Sequence, residues 1–223
     1  MRERKEKDSG RLRFFSRNSA IAALAGFAVF AVISYLVVTR EVILFDTVVR
    51  EFIYSLRGSG LTVLFRSITF LGNEQTITLL CLLLLLIPST RLSYGLPLSA
   101  AALTAAGLQH VLKVSFHRAR PDLSLHLIDQ GGYSFPSDHS FTVLIFYGMM
   151  IFLCRQRIEN KRTAGLVTAL LSCLIPAIGF SRIYLGVHYP TDVLGGWSLG
   201  ICVLMFMISA FLFFQEKESR GRI

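Results

Sequence analysis

Residues 20–39 read AIAALAGFAVFAVISYLVVT, twenty consecutive residues without a charged side chain. A helix needs about 20 such residues to cross the hydrocarbon core of a bilayer. Five further apolar runs follow, the first of them short and rich in leucine: residues 75–89, 93–115, 139–154, 164–180 and 190–214. With 53% hydrophobic residues overall, the sequence predicts an all-α fold, a bundle of six transmembrane helices.

The remaining segments are too short for a second domain, and the sequence contains no internal repeat. We expect one six-span domain at residues 20–214, between a basic tail at 1–19 and a second tail at 215–223. The first apolar run is too long for a signal peptide and lacks a small-residue cleavage site. It is therefore predicted to be a retained span.

Basic residues predict the orientation, because Lys and Arg in short loops stay on the cytoplasmic side. The 1–19 tail, Arg91, the 155–162 connection and the 215–223 tail fall on one side of a six-span bundle. We therefore expect a multi-pass protein of the cell membrane with both termini in the cytoplasm. The connection on the opposite side fits less well, since it contains four arginines: Arg40, Arg50, Arg57 and Arg66.

The basic residues that flank the spans also account for most of the net charge of +9. Basic residues beside a bilayer face anionic head groups, so membrane lipids account for the excess and no nucleic-acid partner is expected. The cysteines have no spacing typical of a disulfide or metal site. They are interpreted as small core residues: Cys81, Cys154, Cys173 and Cys202.

Between the first two spans, apolar residues recur at helical spacing over residues 42–56, opposite polar ones such as Asp46 and Arg50. This pattern predicts a helix in the membrane interface, and residues 61–71 predict a second short helix. Two interpretations stay open. The helices brace the bundle, or they wall a groove through which a lipid reaches a site.

Three polar clusters lie at the predicted extracytoplasmic ends of the spans, and the first reads KVSFHRARP at residues 113–121. Lys113 and Arg120 are about two helical turns apart, so both project from one face if the helix continues until Pro121 stops it. The alternative is that both are snorkelling boundary cations, the better explanation for a lone Lys or Arg.

The second cluster, FPSDHS at residues 135–140, precedes the fourth span. Ser137 or Asp138 is predicted to cap the new helix, whose free N–H groups form an anion site beside His139. The alternative is a plain helix cap with an incidental histidine.

The third cluster, SRIYLGVHYPTD at residues 181–192, joins the last two spans. Pro190 predicts a helix start, so His188 lies at its entrance and Asp192 about one turn away. An Asp at that distance accepts from one imidazole nitrogen and leaves the other free as a base or nucleophile.

Together the clusters bring three cations near two histidines, which suits a phosphate bound by arginine side chains. The cations are Lys113, Arg120 and Arg182. A metal site made of His139, His188 and Asp192 is the competing interpretation, but nearby cations repel a metal ion and no further ligand has suitable spacing. We expect no metal and no cofactor.

Phosphoryl transfer requires charge stabilisation, an in-line nucleophile and a proton for the leaving oxygen. His188 is predicted to attack phosphorus while Asp192 orients it, and His139 to protonate the leaving group. Water then hydrolyses the phosphohistidine.

The clusters resemble the K-x6-RP, PSGH and SR-x5-H-x3-D signatures of the type 2 phosphatidic acid phosphatase superfamily, with the six-span core at 20–214. The resemblance implies a six-helix bundle with a metal-independent site at the extracytoplasmic face. It implies that His188 is the nucleophile and Asp192 its partner. It also implies contacts with phosphate or leaving group for five residues: Lys113, Arg120, Ser137, His139 and Arg182.

Asp138 departs from the family pattern, which usually has Gly at this phosphate-site position. A carboxylate beside a phosphate lowers affinity unless it points away, caps the helix or keeps His139 protonated. The PSDH sequence resembles variants among bacterial undecaprenyl pyrophosphate phosphatases, which favours that substrate.

The first hypothesis is an envelope lipid phosphate phosphatase acting on undecaprenyl pyrophosphate, phosphatidylglycerophosphate or phosphatidic acid. A lipid phosphotransferase with the same site is the second, and a non-catalytic lipid-phosphate binder or transporter is the third. His139, His188 and Asp192 favour the enzymes, since binding alone needs only the cations.

Overall fold

The computed structural model describes residues 16–40 and 43–221, so most of the predicted basic tail lies outside the described residues. Within these ranges all regular structure is helical and no strand is present. The main helices are α1 Arg17–Thr39, α2 Leu44–Ser55, α3 Ser59–Phe70, α4 Glu74–Leu86, α5 Pro88–Phe116, α6 Asp138–Arg157, α7 Lys161–Tyr184 and α8 Pro190–Gly221. Within α5, residues 91–95 form a π-helical turn.

Four of the described helices are long and apolar enough to cross a membrane: α1, α5, α7 and α8. The α3–α4 pair adds a fifth if it counts as one span bent by 45°. Helix α4 alone has 13 residues and a length of about 20 Å, shorter than the ~30 Å hydrocarbon core. The leucine-rich run at 75–89 is therefore one half of a bent pair and does not by itself make the predicted span.

Helix α6 has 20 residues and forms the centre of the bundle, packed against α5, α7 and α8. Its core residues are fully buried, among them Phe141, Val143, Ile145, Phe146 and Leu153. The outer helices instead expose apolar side chains, as at Leu24 of α1, which is 69% accessible. An apolar exterior around a packed centre is the pattern expected when lipid is the solvent.

Two glycines allow neighbouring helices to approach closely. A Cβ on Gly26 of α1 would lie 2.5 Å from the Ser198 carbonyl oxygen of α8. A Cβ on Gly196 of α8 would lie 2.9 Å from the Ser137 carbonyl oxygen, just before α6. Because glycine permits this approach, the starts of α6 and α8 lie side by side.

Helix α5 ends at Phe116 because His117 adopts a left-handed conformation with φ of 49°. A left-handed residue at this position turns the chain out of the helix. The prediction that Lys113 and Arg120 share one helical face is therefore wrong, and Pro121 is not what stops the helix. Arg120 lies in a loop that returns across the end of the bundle, where the Ser134 N–H donates to the Arg118 carbonyl at 2.8 Å.

The predicted helix starts at the other two clusters are confirmed. Ser137 is the N-cap of α6, and its side chain accepts from the Ser140 N–H. Helix α8 begins at Pro190, which leaves His188 at its entrance and Asp192 in its first turn.

Candidate active site

His188 and Asp192 form a buried pair at the entrance of α8. Nδ1 of His188 lies 3.4 Å from Oδ2 of Asp192, and both side chains are inaccessible to solvent. On the opposite side of the ring, NH1 of Arg120 donates to Nε2 of His188 at 3.0 Å. Since a guanidinium group can only donate, Nε2 accepts and Nδ1 carries the proton. The imidazole therefore presents a lone pair on Nε2.

The surroundings of His188 favour the neutral ring. Burial lowers the pKa of His188 to about 4, and the positive charges of Arg120 and Arg182 act in the same direction. The hydrogen bond and the negative charge of Asp192 oppose this shift without cancelling it. The ring is thus neutral at physiological pH, as a nitrogen nucleophile requires.

Asp192 is surrounded by donors. Its Oδ2 accepts from Ser134 Oγ at 2.5 Å and from the Tyr189 N–H at 2.8 Å, and its Oδ1 accepts from Arg118 NH1 at 2.5 Å. A buried carboxylate with this many donors is held ionised and in one orientation. Sequence reasoning missed Arg118, although it stands two residues before Arg120 in the first cluster. It also missed Ser134, for which no local signal exists.

Backbone carbonyls hold the Arg120 guanidinium beside His188. Nε donates to Gly131 and Gly132 at 3.1 and 3.0 Å, NH2 to Gly131 at 2.9 Å, and NH1 to Val187 at 2.8 Å. Burial lowers the pKa of Arg120, while the charges of Asp138 and Asp192 oppose that shift. The loop thus fixes a cation next to the Nε2 lone pair.

A cavity of about 1370 Å³ adjoins this cluster. Four of the predicted site residues line it: Lys113, Asp138, His139 and Arg182. The other four do not: Arg120, Ser137, His188 and Asp192. The predicted residues therefore form a cavity wall and a layer behind it, in which Ser137, His188 and Asp192 are buried and Arg120 is partly exposed. The two parts meet at the starts of α6 and α8.

Helices α3 and α4 supply partners for two of the lining residues. His139 Nε2 lies 2.8 Å from Asn73 Oδ1, and Arg182 NH1 donates to Thr69 Oγ1 at 2.9 Å. Asn73 is the N-cap of α4 without a side-chain capping bond, because its amide is committed to His139. Neither residue was predicted, since both contacts depend on the bend between α3 and α4.

Arg182 is almost fully buried and retains donor capacity. Its NH2 donates to Gln130 Oε1 at 2.5 Å, whereas its Nε has no hydrogen-bond partner in the described part of the chain. Unused donors on a buried cation are suited to an anion that enters the cavity.

Asp138 pairs with Lys113 through its Oδ2, and both side chains are partly exposed. The helix cap is Ser137, so Asp138 does not serve as the cap. The carboxylate therefore neutralises one of the predicted phosphate-binding cations. Ser137 is itself buried, with its Oγ accepting from Ser140 Oγ at 3.1 Å.

Among the described residues, no three His, Cys, Asp or Glu side chains are grouped as ligands for a metal ion. The His139 and His188 rings are directed instead at Asn73, Asp192 and Arg120.

Curated relatives carry related sequences over part of their length. Phosphatidylglycerophosphatase B of Bacillus subtilis is 35% identical over 119 residues, which cover 52% of this chain and 55% of that protein. Undecaprenyl-diphosphatase BcrC of Bacillus subtilis is 37% identical over 85 residues, or 38% of this chain and 36% of the relative. The chain thus spans about half, or less, of the curated relatives that it matches.

Solved structures match over most of the chain. The transmembrane PAP2 type phosphatidylglycerolphosphate phosphatase from Bacillus subtilis superposes with a TM-score of 0.76 at 28% identity, covering 87% of this chain and 96% of that chain. Aquifex aeolicus LpxE superposes with a TM-score of 0.61 at 25% identity, covering 78% and 99%. Residues 94–216, more than half of the sequence and all three polar clusters, match the PAP2 superfamily. This chain therefore belongs to the PAP2 superfamily, as the resemblance of its motifs predicted.

Proposed function

We propose that this chain is a membrane phosphatase that hydrolyses a lipid phosphate through a phosphohistidine. The observation that carries the proposal is the buried His188 ring, whose Nδ1–H faces Asp192 and whose Nε2 lone pair contacts Arg120 at 3.0 Å. The relatives named for hydrolysis of phosphatidylglycerophosphate and undecaprenyl diphosphate support the same substrate class.

In the first step, a phosphate in the cavity replaces the contact of Arg120 with Nε2 of His188. Nε2 attacks phosphorus and the bond from phosphorus to the lipid oxygen breaks. The doubly protonated ring of His139 gives that oxygen its Nδ1 proton, while its Nε2–H stays on Asn73 Oδ1. Lys113, Arg120 and Arg182 offset the charge that develops on the phosphoryl oxygens. Asp192 stabilises the positive imidazole ring that results.

In the second step, water attacks the phosphohistidine and His139 takes its proton. The bond between phosphorus and Nε2 breaks, which releases inorganic phosphate and restores the neutral ring. The contact of His139 with Asn73 Oδ1 fixes the plane of its ring through both steps.

The apolar part of the cavity wall indicates where the hydrocarbon chain of the lipid would lie. Between α4 and α5 the cavity is lined by apolar residues, among them Ile77, Ala102 and Leu103, and Leu103 is 73% exposed on the outer surface. An acyl or prenyl chain there keeps contact with the bilayer while its phosphate reaches the cations. Of the two helices predicted between the first two spans, α3 contributes Arg66, Thr69 and Phe70 to the cavity wall, whereas the described lining residues include none from α2. The groove interpretation is therefore favoured for α3.

We further propose that the bent α3–α4 pair and α6 complete a six-span topology with α1, α5, α7 and α8. Helix α2 exposes Leu44, Val48 and Phe52, which suits the membrane interface. In this topology both termini, Arg91 and the 155–162 connection lie in the cytoplasm. The site then faces the extracytoplasmic side of the cell membrane.

The function is tested by assaying the purified chain in detergent micelles with EDTA present. The substrates are phosphatidylglycerophosphate, phosphatidic acid and undecaprenyl pyrophosphate, and release of inorganic phosphate is expected from at least one. Turnover that stops in EDTA would contradict the metal-independent mechanism. Phosphate transfer that requires an added lipid alcohol would identify a phosphotransferase instead.

Replacing Asp138 with asparagine is expected to lower the KM for phosphatidic acid several-fold while kcat changes little. The ion pair with Asp138 competes with the substrate for Lys113, and its removal leaves that cation free for phosphate. The KM is measured beside that of Asp129→Asn, which removes a carboxylate from the same cavity without breaking the pair. An equal decrease in both variants would contradict the role assigned to the pair and indicate a general charge effect.

A further inference from the structure

Arg118 bridges two buried carboxylates beside the candidate nucleophile. Its NH1 donates to Asp192 Oδ1 at 2.5 Å and to Thr191 Oγ1 at 2.8 Å, and its NH2 donates to Asp46 Oδ2 at 2.7 Å. The two ends of one guanidinium group thus contact the start of α8 and the helix α2. Arg120, two residues later, contacts Nε2 on the other side of the His188 ring. The two arginines of the first cluster therefore contact different members of the His188–Asp192 pair.

Asp46 is the second anchor of this arrangement and is only 3% exposed. Its Oδ1 accepts from the Thr191 N–H at 2.8 Å, and its Oδ2 accepts from Thr191 Oγ1 at 2.6 Å. Helix α2 therefore supplies a carboxylate that caps the first turn of α8 from outside. Asp46 lies before residues 94–216, the part of the chain that matches the family.

The environment of Arg118 restrains it from several sides. Its guanidinium lies 4.2 Å from the centre of the Tyr189 ring, in the geometry of a cation–π contact. Burial alone lowers the pKa of Arg118, but the carboxylates of Asp192 and Asp46 outweigh burial and raise it above the ordinary value. The group is a permanent cation whose carboxylate partners are both buried.

We propose that Arg118, held in place by Asp46, is a positioning residue that fixes the carboxylate of Asp192 and thereby aims Nε2 of His188 at phosphorus. The inference rests on the proposed phosphatase function and extends it to α2. The chain of contacts runs from Asp46 to Arg118, from Arg118 to Asp192 Oδ1, and from Asp192 Oδ2 to His188 Nδ1. Arg118 acts through Asp192 and does not itself touch the substrate.

The physical reason lies in the two oxygens of Asp192. Oδ2 faces His188 and accepts from Ser134 and the Tyr189 N–H, while Oδ1 accepts from Arg118, so the guanidinium holds the second oxygen and completes the orientation of the carboxylate. A rotated carboxylate leaves Nδ1–H without its acceptor and turns the imidazole ring. Misplacement of a reacting group by about 1 Å can lower a rate roughly 100-fold.

Two single variants and their combination test the proposal in the full chain purified in detergent micelles. Arg118→Lys keeps the charge but loses the planar fork whose NH1 and NH2 groups contact Asp192 and Asp46 separately, and Asp46→Asn keeps the shape of Asp46 without its charge. Each is expected to lower kcat for phosphatidic acid by about 10- to 100-fold, with KM changed less than about threefold. Because both act through Asp192, the double variant is expected to be no slower than Arg118→Lys alone.

Single-turnover labelling with radiolabelled phosphatidic acid separates positioning from misfolding. With enzyme in saturating excess, the rate constant for consumption of the labelled lipid should fall, because at saturation it does not depend on the fraction of active enzyme. A wild-type rate constant beside a lowered steady-state kcat would reflect a misfolded fraction and would overturn the positioning role. Arg157→Lys, at the opposite end of α6, and Asp122→Asn, on the surface, are the matched controls and should retain wild-type rates.

The outcomes for the two proposals differ. Wild-type kcat in both variants, or multiplicative losses in the double variant, would overturn the positioning role and leave the phosphatase function standing. Absence of phosphate release by the unmodified chain from every lipid phosphate tested would overturn the phosphatase function itself.

Discussion

Replacing His188 with alanine is expected to lower kcat by at least about 10³-fold, while the chain still binds a lipid phosphate. The variant removes the Nε2 lone pair, so no phosphohistidine can form. Arg120, Lys113 and Arg182 remain, and these cations hold the phosphate without the nucleophile. The measurements are steady-state phosphate release and acid-labile labelling of the chain by a radiolabelled lipid phosphate.

His117→Asn is the control for this experiment. His117 lies at the end of α5, where its ring contacts Tyr133 outside the candidate site, and asparagine tolerates its left-handed backbone. The control should turn over and become labelled as the wild-type chain does. Unchanged turnover in His188→Ala would remove His188 as the nucleophile.

Replacing Asp192 with asparagine is expected to lower kcat by about 10³-fold or more, as expected when a buried orienting carboxylate becomes an amide. An amide offers one oxygen in place of two. Ser134, Tyr189 and Arg118 then compete with Nδ1–H for that oxygen, and the ring shifts toward the tautomer whose proton occupies Nε2.

The pH dependence provides a second measurement on the same variant. Only a neutral His188 can attack, so kcat/KM of the wild-type chain should fall as the pH drops through about 4, the pKa of His188. Asp192 raises that pKa, and its neutralisation should move the acid limb to still lower pH. A limb that stays in place would show that Asp192 does not contact His188 in the active chain. Asp122→Asn removes an exposed carboxylate that accepts from Ser124 and controls for the general loss of an acid.

Local patterns in the sequence determined much of the candidate site. Pro190 marks the start of α8, and the four-residue spacing of His188 and Asp192 spans about one turn, so their proximity needs no distant contact. The same holds for Ser137, which caps α6 within its own first turn. These features depend only on neighbours along the chain.

The number of spans does not follow from apolar length alone, because apolar length does not reveal a bend. The sequence predicts a short helix at residues 61–71 and a separate short span at 75–89, whereas the structure has a helix pair bent by 45° there. Asn73 lies at that bend, and its contact with His139 bridges residues far apart in sequence.

The sequence by itself determined an all-helical membrane chain, the three polar clusters and the His188–Asp192 pair, since each follows from hydropathy or from spacing within a turn. Only the tertiary structure decided which arginine faces which partner. Helix α5 ends at His117 and the following loop folds back, so Arg120 reaches His188 while Arg118 reaches Asp192 and Asp46. Those contacts join residues 68 to 74 positions apart. Pairings over such distances depend on how helices and loops pack, and the local spacing of residues does not determine that packing.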